Sequence, residues 1–105
     1  MVRVIGLYRW LDGATFDHEY YNSKHMQLTL KLLSPRGLVR LESDRYLAAA
    51  PPIAGDIIAA SNAYFPSIEA ARAALTAAGG ELMADVPKYT TLRPQLHFVA
   101  VTSHC

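Results

Sequence analysis

The first half of the fold is set by residues 2 to 33, VRVIGLYRWLDGATFDHEYYNSKHMQLTLKLL. The stretch opens on β-branched and bulky residues from Val2 to Arg9, which predict a strand. Asp12-Gly13 then gives a turn signal, and the helical pattern that follows is predicted to run from about Phe16 to Leu33. Pro35 ends this helix, because proline cannot continue a helix and disfavours helical backbone at the residue before it.

Three more strands and a second helix are predicted in the rest of the chain. Runs of β-branched and aromatic residues, bounded by proline and glycine, indicate the strands. A serine caps the second helix, and a pair of glycines is predicted to close it. The segment ELMADVPKYT after the glycines is predicted to be a short helical turn followed by a loop. In chain order the elements are strands at about Leu38–Tyr46 and Asp56–Phe65, the helix from Ser67 to Gly79-Gly80, and a strand at about Leu96–Val101.

The order strand, helix, strand, strand, helix, strand predicts a ferredoxin-like α+β fold made of two split βαβ units. In this fold a four-stranded antiparallel sheet carries both helices on one face. The chain has 105 residues and contains no repeat, low-complexity segment or linker. A single domain over residues 1–105 is therefore predicted.

The two faces of the predicted sheet are both apolar. In the last strand Leu96 and Phe98 point one way while Val99 points the other, and in the first strand Val4 and Ile5 oppose each other in the same manner. An antiparallel sheet with one solvated face would alternate apolar and polar residues instead. Since the helices cover only one face, a second copy of the chain is predicted to cover the other. The alternative is a sheet that exposes a modest apolar surface.

The composition argues against several functional classes. Hydrophobic residues make up 51% of the chain and charged residues 18%, with a net charge of +1 and no block of like charges. Neither a nucleic acid nor an anionic membrane is therefore an expected partner. The single cysteine, Cys105, cannot form an internal disulfide, so a reducing cytoplasm is the expected location. The start of the chain is predicted to be a strand and not a signal peptide, and no stretch is long enough to span a bilayer.

His25 stands out in the first helix, because it lies on the face that should pack against the sheet. Tyr21, His25, Leu28 and Leu32 follow one another at spacings of four, three and four residues, which places them on one stripe. One interpretation is structural, with a neutral imidazole bonded to a backbone carbonyl or a tyrosine. The other is functional, with the imidazole reaching into a pocket as a general base.

Other polar and aromatic residues are candidates for the same pocket. Alternation along the third strand predicts that Asn62 and Tyr64 face His25, close to Tyr21. Asp85 could orient or charge-pair with a group in the pocket, or serve as a cap or turn carboxylate. Tyr89 could close the pocket or pack under a loop. An apolar cavity with a few convergent polar groups is the usual form of a small-molecule site.

Neither a metal site nor a nucleotide site is predicted. The only residues with ligand spacing on one face are Asp17, Tyr21 and His25, and a single helix offers too few ligands. No glycine-rich phosphate loop is present. No cofactor is therefore expected. Haem binding needs only one proximal histidine, so His25 stays open as a haem ligand, although its position and the neighbouring Lys24 do not favour that role.

Four segments resemble the EthD family, which is named for a protein of ethyl tert-butyl ether degradation and belongs to the dimeric α+β barrel superfamily. The resemblance covers about residues 2 to 100, with the segments in family order and spacing. It implies a homodimer whose two sheets face each other, and a pocket between each sheet and its helices. The segments are FDHEYYNSKHMQL (16–28), GLVRLESDR (37–45), YFPSIEAARAAL (64–75) and ELMADVPKYT (81–90).

The resemblance also assigns family features to particular residues. The Lys-His pair of the family falls on Lys24 and His25, its strand-three aromatics on Tyr64 and Phe65, and its Ala-Asp-x-Pro segment on 84–87. Where the family often has proline after Lys-His-Met, this chain has Gln27, which is expected to make the helix more regular.

The superfamily implies a range of activities and not one reaction. Its members include muconolactone isomerases, cofactor-free quinone-forming monooxygenases, polyketide cyclases and haem-binding enzymes. Among these activities, we predict a cofactor-independent enzyme of isomerase, cyclase or monooxygenase type. His25 would act as general acid or base on an aromatic, lactone or polyketide-like substrate. The alternative is a non-catalytic ligand-binding or accessory protein of a degradation or biosynthesis pathway.

Overall fold

The computed structural model describes all 105 residues and confirms the predicted order of elements. The first helix is continuous but changes geometry twice along its length. None of the helices is both long enough and apolar enough to span a bilayer. The elements are strand β1 (Val2–Arg9), helix α1 (His18–Tyr20), a π-helical segment (Tyr21–His25), helix α2 (Met26–Leu33), a 3-10 turn (Ser34–Arg36), strands β2 (Arg40–Arg45) and β3 (Ile57–Phe65), helix α3 (Ile68–Asp85), a second 3-10 turn (Val86–Lys88) and strand β4 (Gln95–Ala100).

The four strands form one antiparallel sheet in the order β2-β3-β1-β4. The two central strands are β1 and β3, with Val4 opposite Ala63 on one side and opposite Phe98 of β4 on the other. Both helices pack on the same face of this sheet, which we call the helix face; the other we call the open face. The predicted ferredoxin-like α+β fold is thereby confirmed.

The core between the sheet and the helices depends on small side chains of α3. Ala71, Ala74 and Ala78 recur at helical spacing and are at most 3% exposed. They lie against Val4, Leu33, Ala63 and Phe65 from the first helix and the central strands. Because alanine has only a methyl group, α3 approaches the sheet closely. The bulk of the core is then supplied by Phe65 and Leu33 from the opposite side.

Helix α3 is longer than predicted, since Gly79-Gly80 does not end it. Ser67 caps its start by accepting a hydrogen bond from the Ala70 N–H at 3.1 Å, but the helix continues through both glycines to Asp85. An interior glycine weakens a helix by only about 1 kcal/mol relative to alanine, and packing of the residues on either side outweighs that. The regular helix ends just before Pro87, which has no N–H to donate.

We expect Gly80→Ala to stabilise the protein by about 0.5–1 kcal/mol, because alanine restricts the unfolded chain and favours helix. Gly80 is exposed, and a Cβ built there meets no atom within 4 Å. Chemical denaturation measures the change. Gly55 has a φ of +95°, so Gly55→Ala should instead destabilise by about 1 kcal/mol or more. Equal effects of the two substitutions would contradict this account of α3.

The buried stripe of the first helix differs from the predicted one beyond His25. Tyr21 and His25 are buried as expected, but Thr29 and Leu33 follow them in place of Leu28 and Leu32. The cause is the π-helical segment, where the Met26 N–H donates to the Tyr21 carbonyl five residues earlier. Each such turn holds one residue more than an α-helical turn and shifts every later residue around the axis. Gln27 lies after this segment, in the regular helix α2, so the expectation that it makes the helix more regular stays a prediction.

Candidate functional site

A cavity of about 140 Å³ lies between the helix face of the sheet and the two helices. Sixteen residues line it, ten of them hydrophobic, and every strand and both helices contribute. Its polar lining comes mainly from the side chains of Tyr8, His25, Thr29 and Ser61. The cavity is therefore an apolar chamber with a few polar groups, which is the usual form of a small-molecule site.

His25 is held in one orientation by Asp85. The imidazole Nδ1 lies 2.9 Å from the Asp85 carboxylate oxygen Oδ2, and both side chains are 8% exposed. A carboxylate can only accept, so Nδ1 carries the proton and Nε2 keeps its lone pair in the neutral imidazole. Since Nε2 has no hydrogen-bond partner in the protein and His25 lines the cavity, this lone pair is available to a bound molecule.

Asp85 is in turn fixed by two other side chains. The Tyr20 hydroxyl donates to Oδ1 at 3.0 Å, and the exposed Lys88 ammonium lies 3.5 Å from the same oxygen. Desolvation raises the pKa of Asp85, but the hydrogen bonds from His25 and Tyr20, together with the charge of Lys88, lower it below its usual value. Asp85 is thus a carboxylate at neutral pH that is bonded to His25, and its side chain makes no capping hydrogen bond to the 3-10 turn that follows.

The lowered pKa of Asp85 predicts a pH-dependent contribution to stability. A carboxyl group whose folded pKa lies below its unfolded value stabilises the fold above the unfolded value and ceases to do so as pH falls through the folded value. Asp85→Asn should therefore cost more stability at about pH 7 than at about pH 2. Urea denaturation of both proteins at the two pH values measures this difference. A loss of stability that is the same at both pH values would contradict the assignment of Asp85 as a carboxylate stabilised by its hydrogen bonds.

An aromatic wall encloses the imidazole. The Tyr21 ring stacks on His25 with centroids 5.7 Å apart and planes 16° apart, and the Tyr89 ring lies 4.7 Å from it. The Tyr8 and Tyr89 hydroxyl oxygens lie 2.5 Å apart. Burial raises the pKa of Tyr8 to about 12, and it raises the pKa of Tyr21 and Tyr89 as well. All three phenols are therefore neutral at physiological pH.

The structure brings together four of the six residues predicted for the site. Tyr21, Asp85 and Tyr89 all contact His25, which is the member of the four that lines the cavity. The π-helical segment is what carries Tyr21 and His25 there, since it presents both side chains to the sheet. The extension of α3 past the glycines brings Asp85 to His25, although the two residues are sixty positions apart.

Asn62 and Tyr64 lie on the open face, so the prediction that they face His25 is wrong. The Asn62 amide donates to an Asp44 carboxylate oxygen at 2.8 Å, and the Tyr64 hydroxyl donates to Glu42 at 3.2 Å. Side chains do alternate between the two faces along β3, but Ser61 and Ala63 are on the side of the helices, and Asn62 and Tyr64 are on the other side. Ser61 occupies the cavity-facing position instead.

Sequence reasoning missed four residues that belong to this region. Tyr8 lies on the same side of β1 as Val4, and its side chain lines the cavity. Thr29 lies four residues after His25 and donates to its carbonyl at 2.8 Å, so the i, i+4 spacing could have indicated it. Ser61 and Tyr20 gave no signal, because their places depend on strand pairing and on a partner in α3.

Several solved protein structures have the same fold as this chain. No protein-family model matches the chain, and neither does any curated protein. Among solved structures, an EthD-like protein of Ralstonia eutropha is 25% identical with a TM-score of 0.82, over 99% of this chain and 94% of that one. An EthD family protein of Bacillus halodurans is 21% identical with a TM-score of 0.65, over 97% and 99%. A protein of Arabidopsis thaliana shares the fold at 13% identity and a TM-score of 0.70, over 100% and 99%.

The fold and the cavity define the class first: an α+β ferredoxin-like protein of the EthD-like type, with a histidine of its first helix in a chamber above the sheet. The similarity to the Ralstonia protein covers nearly the whole length of both chains, and it agrees with the four sequence segments that resemble the EthD family.

Proposed function

We propose that this protein is a cofactor-independent enzyme in which His25 is the general acid and base for a small substrate. The observation that carries the proposal is the state of His25, whose Nδ1 is bonded to buried Asp85, whose Nε2 has no partner in the protein, and whose side chain lines an apolar cavity. A carboxylate that fixes the tautomer and orientation of a histidine is a recurrent arrangement in acid–base sites. Isomerisation, cyclisation and cofactor-free oxygenation all begin with a proton removed from carbon or from a phenol.

The size of the cavity limits the substrate. Its volume is about 140 Å³, close to the roughly 150 Å³ of an engineered cavity that holds benzene. Within the aromatic, lactone and polyketide-like class, a single-ring compound therefore fits better than a fused polycycle. The surrounding leucine, valine and alanine side chains favour an apolar ring body with few polar substituents.

We also propose that the working form is a homodimer joined through the open face. Ile5 and Leu7 are only partly exposed on this face, although no helix covers them. Arg3 lies beside them, and its Nε is buried without a hydrogen-bond partner. A second sheet packed on this face would bury the apolar residues and could supply the missing acceptor.

Sedimentation analysis tests the dimer. A mass of twice the 11.5 kDa of one chain is expected, and a monomer at all concentrations would contradict it.

Two measurements test the function. Phenol should shift the NMR signals of the cavity residues in the labelled protein, and deuterium exchange at the carbons beside the carbonyl of cyclohexanone, 2-cyclohexenone or γ-butyrolactone should be faster with protein than with buffer. Binding together with exchange supports an enzyme. Binding without exchange of any probe supports the ligand-binding or accessory role instead. Signals of the cavity residues that do not move with phenol would overturn both.

A further inference from the structure

We propose that Tyr8, held by Tyr89, is the hydrogen-bond donor for the carbonyl or phenolic oxygen of the substrate. The inference rests on the proposed function and adds the group that receives the negative charge when His25 removes a proton. It also restricts the substrate class to single-ring compounds that carry such an oxygen beside the carbon or group that is deprotonated.

The first step of the argument is the count of protons in the tyrosine pair. The two hydroxyl oxygens lie 2.5 Å apart, and neither makes any other hydrogen bond. Each phenol has one proton, and only one of the two can lie between the oxygens. The other proton has no acceptor in the protein, and a buried donor without an acceptor is costly. A ligand oxygen is the acceptor that would complete the pair.

The second step decides which hydroxyl is free. Tyr8 lines the cavity and Tyr89 does not, although both are 3% exposed. If Tyr8 donated to Tyr89, the unpaired proton would be enclosed in the aromatic wall with no ligand in reach. If Tyr89 donates to Tyr8, the proton of Tyr8 is the one directed into the chamber. The second arrangement is satisfied as soon as an oxygen binds there.

The third step is the rigidity of Tyr8. Its ring makes edge-to-face contacts with Phe16, Tyr21 and Tyr89, with centroids 5.1, 5.6 and 6.1 Å apart, and it projects from the central strand β1. A donor fixed before the reaction does not have to reorganise as charge develops. Burial, opposed in part by the hydrogen bond with Tyr89, raises the pKa of Tyr8 to about 12. Tyr8 thus remains protonated and able to donate.

The fourth step is the position of Tyr8 relative to His25. Both side chains line the same cavity, and both rings contact Tyr89 and Tyr21. A single-ring carbonyl compound can therefore contact the two at once. His25 Nε2 takes the proton from the carbon beside the carbonyl, the C–H electron pair forms the new C=C bond, and the carbonyl π pair moves to oxygen. That oxygen accepts the hydrogen bond from Tyr8. Return of the proton from His25 to the same or a conjugated carbon completes exchange or isomerisation, and no oxidant is needed.

The test compares the wild type with Tyr8→Phe and uses cyclohexanone labelled with ¹³C at the carbonyl. Loss of one such donor typically slows a reaction by about 10²–10³-fold. We expect Tyr8→Phe to slow deuterium exchange by about that factor, and to abolish the downfield shift of the carbonyl carbon on binding. Benzene, which has no oxygen, should bind both proteins equally. Tyr89→Phe keeps the hydroxyl of Tyr8 and should give a shift and a rate between the two.

The outcomes separate this inference from the function on which it rests. If the wild type catalyses exchange and Tyr8→Phe does so at the same rate with an unchanged carbonyl shift, the role of Tyr8 is overturned and the general-base function stands. If the wild type shifts the carbonyl signal without exchange and Tyr8→Phe loses that shift, the donor role stands and the catalytic function fails. No carbonyl shift in the wild type overturns the donor role. If Tyr8→Phe does not fold, Tyr89→Phe gives the test instead. A carbonyl shift that Tyr89→Phe leaves unaltered would contradict the proposal that Tyr89 holds Tyr8 as the donor.

Discussion

His25→Gln is expected to lower the rate of α-proton exchange by about a hundred- to ten-thousand-fold, which is the range that a positioned general base contributes. The nitrogen that should take the proton is Nε2, which has no partner in the protein. A glutamine amide has no lone pair of comparable basicity. It can still donate a hydrogen bond to the buried Asp85 carboxylate, so the substitution tests the chemistry and leaves the pairing in place.

The matched control for this prediction is His104→Gln, which makes the same change at an exposed position near the C-terminus. It should leave the exchange rate unchanged. The thermal midpoint of both variants shows whether the fold is intact. A His25→Gln protein that is folded and exchanges as fast as wild type would eliminate His25 as the base. One that does not fold would return the residue to a structural role.

Phe65→Ala is expected to have the largest effect on stability, a loss of about 3–5 kcal/mol. The Phe65 side chain is 0% exposed and packs on the alanine face of α3. Because the buried α3 side chains in this cluster are alanines, they cannot extend to fill the space that the ring leaves. A loss of this size is a large fraction of the roughly 5–15 kcal/mol that stabilises a typical domain. Urea denaturation monitored by circular dichroism measures it.

Phe98→Ala provides the comparison, since it removes the same ring from edge strand β4, where Phe98 is 41% exposed. We expect a loss of less than about 2 kcal/mol there, because the ring is already partly hydrated in the folded state. If the two substitutions cost the same, Phe65 is not the centre of the core described above.

The sequence predicts the elements well because each is specified by local chemistry. Proline after the first helix, a serine cap before α3 and β-branched runs in the strands are effects of neighbouring residues. The two irregular helix features are different. The glycine pair at 79–80 is tolerated because α3 packs on the sheet, and the π-helical segment at Tyr21–His25 forms although no residue in it breaks a helix. Both are set by tertiary packing, which outweighs weak local preferences.

The candidate site is harder to predict than the fold, because its members meet only after the sheet is paired. His25 could be singled out from a helical stripe, but Asp85 is sixty positions away and Tyr8 and Tyr89 are separated by eighty-one. The side on which Asn62 and Tyr64 lie could not be read from alternation, since both faces of β3 mix apolar and polar residues. Only the register of β3 against β1 fixes which set meets the helices.

The central claim, that His25 presents a free Nε2 lone pair to a ligand cavity, is tested most directly by ¹⁵N NMR of the imidazole. The spectrum should show a protonated Nδ1 and an unprotonated Nε2 in the neutral ring, as the bond to Asp85 requires. Addition of phenol should shift the Nε2 signal strongly and the Nδ1 signal much less. A proton on Nε2, or imidazole signals that do not respond to phenol, would contradict the account.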